Sequence, residues 1–191
     1  VLASEDIFAA ATSGIFTSNV RLRYEEVADD AFAKNAEALT LRGRLAYETA
    51  PFYAFTLLAE GEHVANFDGL DNYQLPAPPV PPASGYAIVA DPDGTELNRF
   101  QLRYRGISEA DLILGRQYIV YDNQRWIGNV GFGQNDQTFD AFSAVYKGVD
   151  DFTFNYAYSE RVNGITPEFN SNTNDNLVNI SYNGFTWGKF I

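Results

Sequence analysis

Val20-Arg-Leu-Arg-Tyr-Glu-Glu-Val27 alternates between apolar and polar side chains, and Leu39-Thr-Leu-Arg-Gly-Arg-Leu-Ala-Tyr47 repeats the pattern. In the first stretch Val20, Leu22 and Tyr24 share one face, and the arginines between them share the other. A period of two predicts β-strands that each have one apolar and one polar face.

The same alternation continues along the rest of the chain. It predicts further strands around residues 53–60, 99–105, 110–121, 137–147, 152–159 and 177–183, and the start of a ninth strand at 186–191. Gly115 is expected to kink the strand that contains it. We therefore expect about eight full strands in an antiparallel sheet.

The connections between these strands alternate in length. The long ones are 28–38, 64–95, 122–136 and 161–176, and tight turns lie between them. Outer-membrane barrels have short periplasmic turns at one end and long extracellular loops at the other. The pattern predicts an all-β protein: an antiparallel transmembrane β-barrel, with about 8–9 strands in this chain.

Two segments fall outside the predicted strands. Residues 1–18 are interpreted as a periplasmic N-terminal segment with a short helix that begins at Ser4, and 19–191 as the barrel region. Leu75-Pro-Ala-Pro-Pro-Val-Pro-Pro82 is typical of a polyproline II stretch in the longest loop. It is read as a surface spacer, with a loop folded into the pore as the alternative.

Composition excludes several classes of function. With 13 Lys and Arg against 25 Asp and Glu, the net charge is -12, so the chain lacks the basic excess that nucleic acid requires. Aromatic residues make up 15% of the chain, which fits the aromatic girdles of barrels, and the absence of cysteine agrees with export. No apolar run reaches the ~18 residues of a membrane helix, so a membrane location requires a barrel.

Catalysis is not expected. His63 is the only histidine, and no nucleophile or carboxylate pattern accompanies it. Asp68-Gly-Leu-Asp71 and Asp91-Pro-Asp-Gly94 fit Asx turns better than calcium loops. We expect no enzyme activity, no metal site and no cofactor.

Arginines dominate the polar faces, and arginine recognises carboxylate and phosphate by two parallel hydrogen bonds. In a barrel these side chains point into the lumen, because charge facing lipid costs about 2–4 kcal/mol at the midplane. The candidate pore-lining residues are Arg21, Arg23, Arg42, Arg44, Arg99, Arg103, Arg105, Arg116, Arg125 and Glu60. Two interpretations remain open: selection of an anionic solute, or pairing with glutamates such as Glu25, Glu48, Glu60 and Glu62 that fills the lumen.

Several stretches, in order, resemble the alginate-export family of outer-membrane porins. They are Val20-Arg-Leu-Arg-Tyr-Glu-Glu-Val27, Leu41-Arg-Gly-Arg-Leu-Ala-Tyr-Glu-Thr49, Ala90-Asp-Pro-Asp-Gly-Thr-Glu-Leu-Asn98, Leu114-Gly-Arg-Gln117, Asp122-Asn-Gln-Arg-Trp-Ile-Gly-Asn-Val-Gly131 and Gln134-Asn-Asp-Gln-Thr-Phe-Asp-Ala141. The resemblance runs from about residue 15 to 185. It implies a monomeric barrel with an electropositive pore for anionic polysaccharide or smaller solutes.

These observations give one preferred function and two alternatives. The preferred function is an outer-membrane porin or exporter that passes an anionic solute, such as alginate or smaller carboxylates, through an arginine-lined lumen. Because family barrels have more strands, we expect this chain to be part of a larger barrel, which is either monomeric or completed by another chain. The first alternative is that about eight strands close by themselves into a small filled barrel with a structural or surface-binding role. The second alternative is a soluble ligand-binding β-barrel.

Overall fold

The computed structural model describes residues 6–76, 85–186 and 188–190, and it contains one antiparallel sheet of nine strands in chain order. The strands are β1 (Ile15–Val27), β2 (Ala36–Glu48), β3 (Phe55–Asn72), β4 (Gly94–Tyr104), β5 (Ala110–Gln117), β6 (Thr138–Tyr146), β7 (Phe152–Asn163), β8 (Ser171–Phe185) and β9 (Gly188–Phe190). Each strand pairs with the next, whereas β1 and β9 do not pair among the described residues. The predicted all-β antiparallel sheet is confirmed, and it is not closed.

The two faces of the sheet differ as the alternation predicts. On β1, Val20 is 72% exposed and Leu22 is 63% exposed, and both lie on the outward face. Arg21 and Arg23 lie on the opposite face, where Arg21 is opposite Arg42 and Arg23 is opposite Thr40. The apolar face of the sheet is therefore not packed against other parts of the protein, whereas other segments of the chain pack on the polar face.

Short turns and long loops lie at opposite ends of the sheet, as predicted, but the boundaries differ. β3 continues to Asn72 and β8 begins at Ser171, so the connections span 28–35, 73–93, 118–137 and 164–170. The predicted loops 64–95 and 161–176 were too long, because polar ends of β3, β7 and β8 pair as strands beyond the apolar alternation. β5 ends at Gln117 rather than at 121.

Two of the long loops fold back over the sheet. Ala87 and Val89 of the 73–93 loop pack in a buried cluster with Ala36 and Ala38 of β2. Near the start of the 118–137 loop, Ile119 is buried against β6 and β7. The longest loop thus includes a part that folds inward, whereas most of the proline-rich prediction, 77–82, lies outside the described residues.

The N-terminal helix is shifted from its predicted position. α1 spans Ile7–Thr12 and is capped by Asp6, whose carboxylate accepts from the Phe8 amide at 2.8 Å; the predicted cap, Ser4, lies outside the described residues. Strand β1 begins at Ile15, inside the segment predicted to precede the barrel. Within the described ranges, no helix has the length and hydropathy needed to cross a membrane.

A Tyr-x-Gly repeat marks the short-turn end of the sheet. It occurs at Tyr104–Gly106, Tyr146–Gly148 and Tyr182–Gly184, and each tyrosine ring covers the glycine two residues later so closely that a Cβ there would overlap it. Gly106 and Gly148 lie in the turns just after β4 and β6, and Gly184 lies near the end of β8, so each tyrosine ring packs on the chain where it leaves the sheet. Sequence analysis missed this repeat, although all three copies can be read from the sequence.

Candidate functional site: a diagonal of arginines beneath two loops

Arginines of three strands, β1, β2 and β4, form a diagonal across the polar face, with glutamates of β3 between them. Strand register places Arg21 opposite Arg42 and Arg44 opposite Glu62, and then Glu60 opposite Arg99 and Thr56 opposite Arg103. The diagonal therefore descends from the middle of β1 to the short-turn end of β4. The predicted alternation brings these side chains together.

The 118–137 loop binds the upper arginines through its backbone. Arg21 donates to the carbonyl oxygens of Gly133 at 2.6 Å and Phe132 at 2.9 Å. Arg42 donates to the carbonyl oxygen of Gln134 at 2.9 Å. Because carbonyls carry no net charge, these contacts hold the loop without neutralising the guanidinium groups.

The 73–93 loop binds the same region through Asp91, whose side chain is fully buried. Asp91 accepts from Arg23 at 2.5 Å, from the Thr40 hydroxyl at 3.2 Å and from the Gln134 amide at 2.7 Å. One carboxylate therefore joins β1, β2 and both inward loops.

Arg44 lies between two carboxylates. It pairs with Glu62 of β3 and, at 2.8 Å, with Asp136 of the 118–137 loop. Asp136 also accepts from the Tyr118 hydroxyl at 2.7 Å. Burial, with the nearby Asp136 carboxylate, raises the pKa of Tyr118, so this hydroxyl stays protonated as a donor. Burial likewise raises the pKa of Tyr73 to about 12, and Tyr73 donates to the Asp91 carbonyl at 2.7 Å.

Glu60 and Arg99 form a forked pair at the middle of the diagonal. Arg99 donates to both carboxylate oxygens of Glu60, at 2.9 and 2.7 Å. Asn98, the extra residue of a β-bulge, also donates to Glu60 at 2.8 Å. A bulge turns neighbouring side chains toward one side of the sheet, which explains why two successive residues reach one carboxylate.

Arg103 and Arg105 share one carboxylate at the lower end. Arg103 pairs with Asp111 at 3.0 Å and Arg105 pairs with the same group at 3.3 Å. The Arg105 side chain is 58% exposed, the most open of the paired arginines. Arg105 lies just after the end of β4 rather than within the strand, because β4 ends at Tyr104.

Two predicted site residues do not join the diagonal. Arg116 makes a forked pair with Asp140, at 2.7 and 3.0 Å, and lines a cavity of about 150 Å³ near the long-loop end. Arg125 is exposed in the 118–137 loop, with its guanidinium carbon 5.7 Å from the centroid of the Trp126 ring.

Sequence analysis missed the loop residues that complete the site. Asp91 was interpreted as an Asx turn, and Gln134 and Asp136 were noted only within the resemblance. Of the four glutamates anticipated as partners, Glu25, Glu60 and Glu62 pair with arginine. Glu48 makes no ion pair within the described part of the chain. The described residues contain no group of His, Cys, Asp and Glu arranged to hold a metal ion.

Comparison with known proteins establishes the fold. No protein-family model and no curated protein matches the sequence. The structure is similar to the crystal structure of Acinetobacter baumannii OccAB1, with a TM-score of 0.64 and 12% identity over 95% of this chain and 44% of that one. It is similar to the crystal structure of Pseudomonas aeruginosa OccD3 with a TM-score of 0.61 and 12% identity over 95% of this chain and 40% of that one. It is also similar to the crystal structure of Pseudomonas aeruginosa OpdK with vanillate, with a TM-score of 0.57 and 15% identity over 92% of this chain and 46% of that one. The open sheet of this chain therefore has the fold of part of these porin structures, and the chain spans less than half of their length.

Proposed function

We propose that this chain forms part of a bacterial outer-membrane porin that passes small anionic solutes through an arginine-lined lumen. The observation that carries the proposal is the arginine diagonal, which ends at Arg103 and Arg105 around the single carboxylate of Asp111. One carboxylate neutralises only one of the two guanidinium groups and uses only some of their N–H donors. The pair therefore retains positive charge and free donors for the carboxylate of a solute.

The outward face supports the membrane location. Large apolar side chains without protein cover recur on β1, β2, β4, β5 and β8, including Leu22, Leu45, Phe100, Leu114 and Val178. A water-soluble sheet that exposes such a band would aggregate, whereas lipid covers it at no cost. This favours the porin over the soluble ligand-binding barrel.

The loops that cover the upper arginines favour a solute of small size. The two inward loops occupy the polar face above Arg21, Arg23, Arg42 and Arg44, which narrows the space there. Both interpretations of the arginines therefore contribute: the upper ones hold loops, and the lower pair is open to a solute. OpdK was crystallised with vanillate, a small aromatic carboxylate, and we extend that solute class to this chain. Alginate export stays a prediction.

Planar-bilayer recording of protein purified from outer membranes tests the proposal. The readout is the concentration of vanillate that blocks half of the chloride conductance. In the double variant Arg103→Gln/Arg105→Gln we expect this concentration to rise about tenfold or more, because charge-assisted hydrogen bonds contribute about 1.5–3 kcal/mol each. Arg125→Gln, which removes an exposed loop arginine, is the matched control and leaves the block unchanged.

Other outcomes identify the alternatives. Block that is equal in the double variant and the wild type contradicts solute binding by the lower arginines. Stable insertion without any conductance indicates the small filled barrel. Protein that stays monomeric in water without detergent indicates the soluble barrel.

A further inference from the structure

An apolar groove lies outside the lumen, at the short-turn rim. Helix α1 supplies Ile7, Ala10 and Ala11 to one wall, and Phe55, Leu57 and Leu102 of β3 and β4 form the other. Seven of its nine lining residues are apolar and the other two are threonines. Its volume, about 260 Å³, exceeds the ~150 Å³ of an apolar cavity that admits benzene.

The groove belongs to the outward face. Leu57 is opposite Leu102 and Phe55 is opposite Tyr104, on the side of the sheet where Phe100 is 48% exposed. Lumenal residues such as Arg103 alternate with these and lie on the other side. Helix α1 therefore lies against the outer rim of the sheet, at the short-turn end that the sequence analysis assigned to the periplasm.

Specific contacts hold α1 in this position. The Tyr47 hydroxyl donates to the Ala11 carbonyl at 2.5 Å, and the Ala50 amide donates to the Ala10 carbonyl at 3.0 Å. Ala10 is buried, while Phe8 remains 78% exposed. Helix α1 is therefore fixed in place while its Phe8 side chain remains uncovered by protein, so this face of the helix is suited to contact with lipid.

We propose that this groove binds an acyl chain of a membrane phospholipid in the leaflet nearest the short turns. The inference rests on the proposed outer-membrane location. The groove continues the lipid-facing band of β3 and β4 without a charged residue in its lining, and the Phe16–Tyr47 ring pair lies next to it, with centroids 4.5 Å apart. Interfacial helices bury their apolar face about 5–10 Å into the headgroup and acyl boundary, which places Ile7 and Phe8 beside acyl chains.

Fluorescence quenching by brominated phospholipid tests this position. In a Trp126→Phe/Trp187→Phe background, single tryptophans are introduced as Phe8→Trp at the helix, Leu22→Trp on the outward face and Val130→Trp in a long loop. The protein is reconstituted in phosphatidylcholine vesicles that carry bromine both near the headgroup end and near the methyl end of the acyl chains, so that quenching reports lipid contact at either depth. We expect a loss of fluorescence at position 8 comparable with that at position 22, and little loss at position 130.

A pair of alanine variants tests whether the groove itself is occupied. Ala11→Asp places a carboxylate in the groove, and Ala9→Asp makes the same change on an exposed helix position outside the lining. We expect Ala11→Asp to reduce quenching at position 8 far more than Ala9→Asp does.

The outcomes separate the inference from the proposed function. Quenching at position 22 but not at position 8 overturns the lipid groove and leaves the porin standing. If Ala11→Asp and Ala9→Asp reduce the quenching equally, the helix only touches the lipid surface, and binding of an acyl chain in the groove is also overturned. No quenching at position 22 overturns the membrane location on which both depend.

Discussion

Asp91 receives hydrogen bonds from three separate parts of the chain: Arg23 of β1, Thr40 of β2 and the Gln134 amide of the 118–137 loop. Its carboxylate is fully buried, so it has no water to replace a lost partner. Removal of one member of a buried ion pair typically costs about 3–5 kcal/mol, because the other charge is left without compensation. Arg23 also pairs with Glu25, which lessens the loss.

We therefore expect Asp91→Ala to lower the free energy of unfolding by about 3 kcal/mol. Asp93→Ala, an exposed aspartate two residues later, is expected to change it by no more than about 0.5 kcal/mol. Urea unfolding in detergent micelles measures both. Equal effects would contradict a role of Asp91 as the anchor of the inward loops.

For the ion pairs that join a strand to a loop, the sequence revealed only the arginine. Alternation assigns Arg23 and Arg44 to a polar face from local residues alone. Their partners Asp91 and Asp136 lie in loops, and a loop has no period that specifies where its side chains point. An Asx turn was a reasonable local interpretation of Asp91, but a long-range contact determined its role.

Gly115 is the position where β5 departs from regular strand geometry. Its φ of +116° is one that residues with a side chain rarely adopt, and a Cβ there would overlap the carbonyl oxygen of Phe100 on β4. The backbone oxygen cannot move aside as a flexible side chain can. The kink predicted from the glycine thus has a cause in the close approach of two strands.

Gly115→Ala is expected to destabilise the protein by about 1–3 kcal/mol, through backbone strain and overlap. Gly43→Ala on β2 is the matched control, because a Cβ at Gly43 meets no atom within 4 Å and its φ is not in the left-handed region. The same urea titration compares them. A Gly43→Ala loss as large as that of Gly115→Ala would show that any side chain on a strand glycine is harmful and that the close approach is not special.

Elements with two different faces were predictable, and elements with two polar faces were not. Alternation identified β1, β2, β4 and β7 because lipid and lumen impose opposite preferences on successive residues. The start of β8, Ser171-Asn-Thr-Asn-Asp-Asn176, is polar throughout and pairs with β7 nonetheless. No contrast between its faces remains in the sequence, so only the partner strand determines its structure.

The whole sheet has one apolar face, and the proposed membrane location predicts how charge is tolerated along it. Leu22 lies near the middle of β1 and is 63% exposed on the outward face, while Glu26 lies on the same face near the long-loop end of the strand. Arginine facing lipid costs about 2–4 kcal/mol at the midplane and only about 0–1 kcal/mol near the interface.

We therefore expect Leu22→Arg to lower the free energy of unfolding in phospholipid vesicles by about 2–4 kcal/mol, and Glu26→Arg to change it by less than about 1 kcal/mol. Gel-shift folding assays over a urea series measure this difference. In water the same exposed Leu22→Arg change would relieve apolar exposure and leave stability unchanged or improved. The sign at position 22 thus decides between lipid and water as the solvent of the outward face, independently of any solute that the lumen carries.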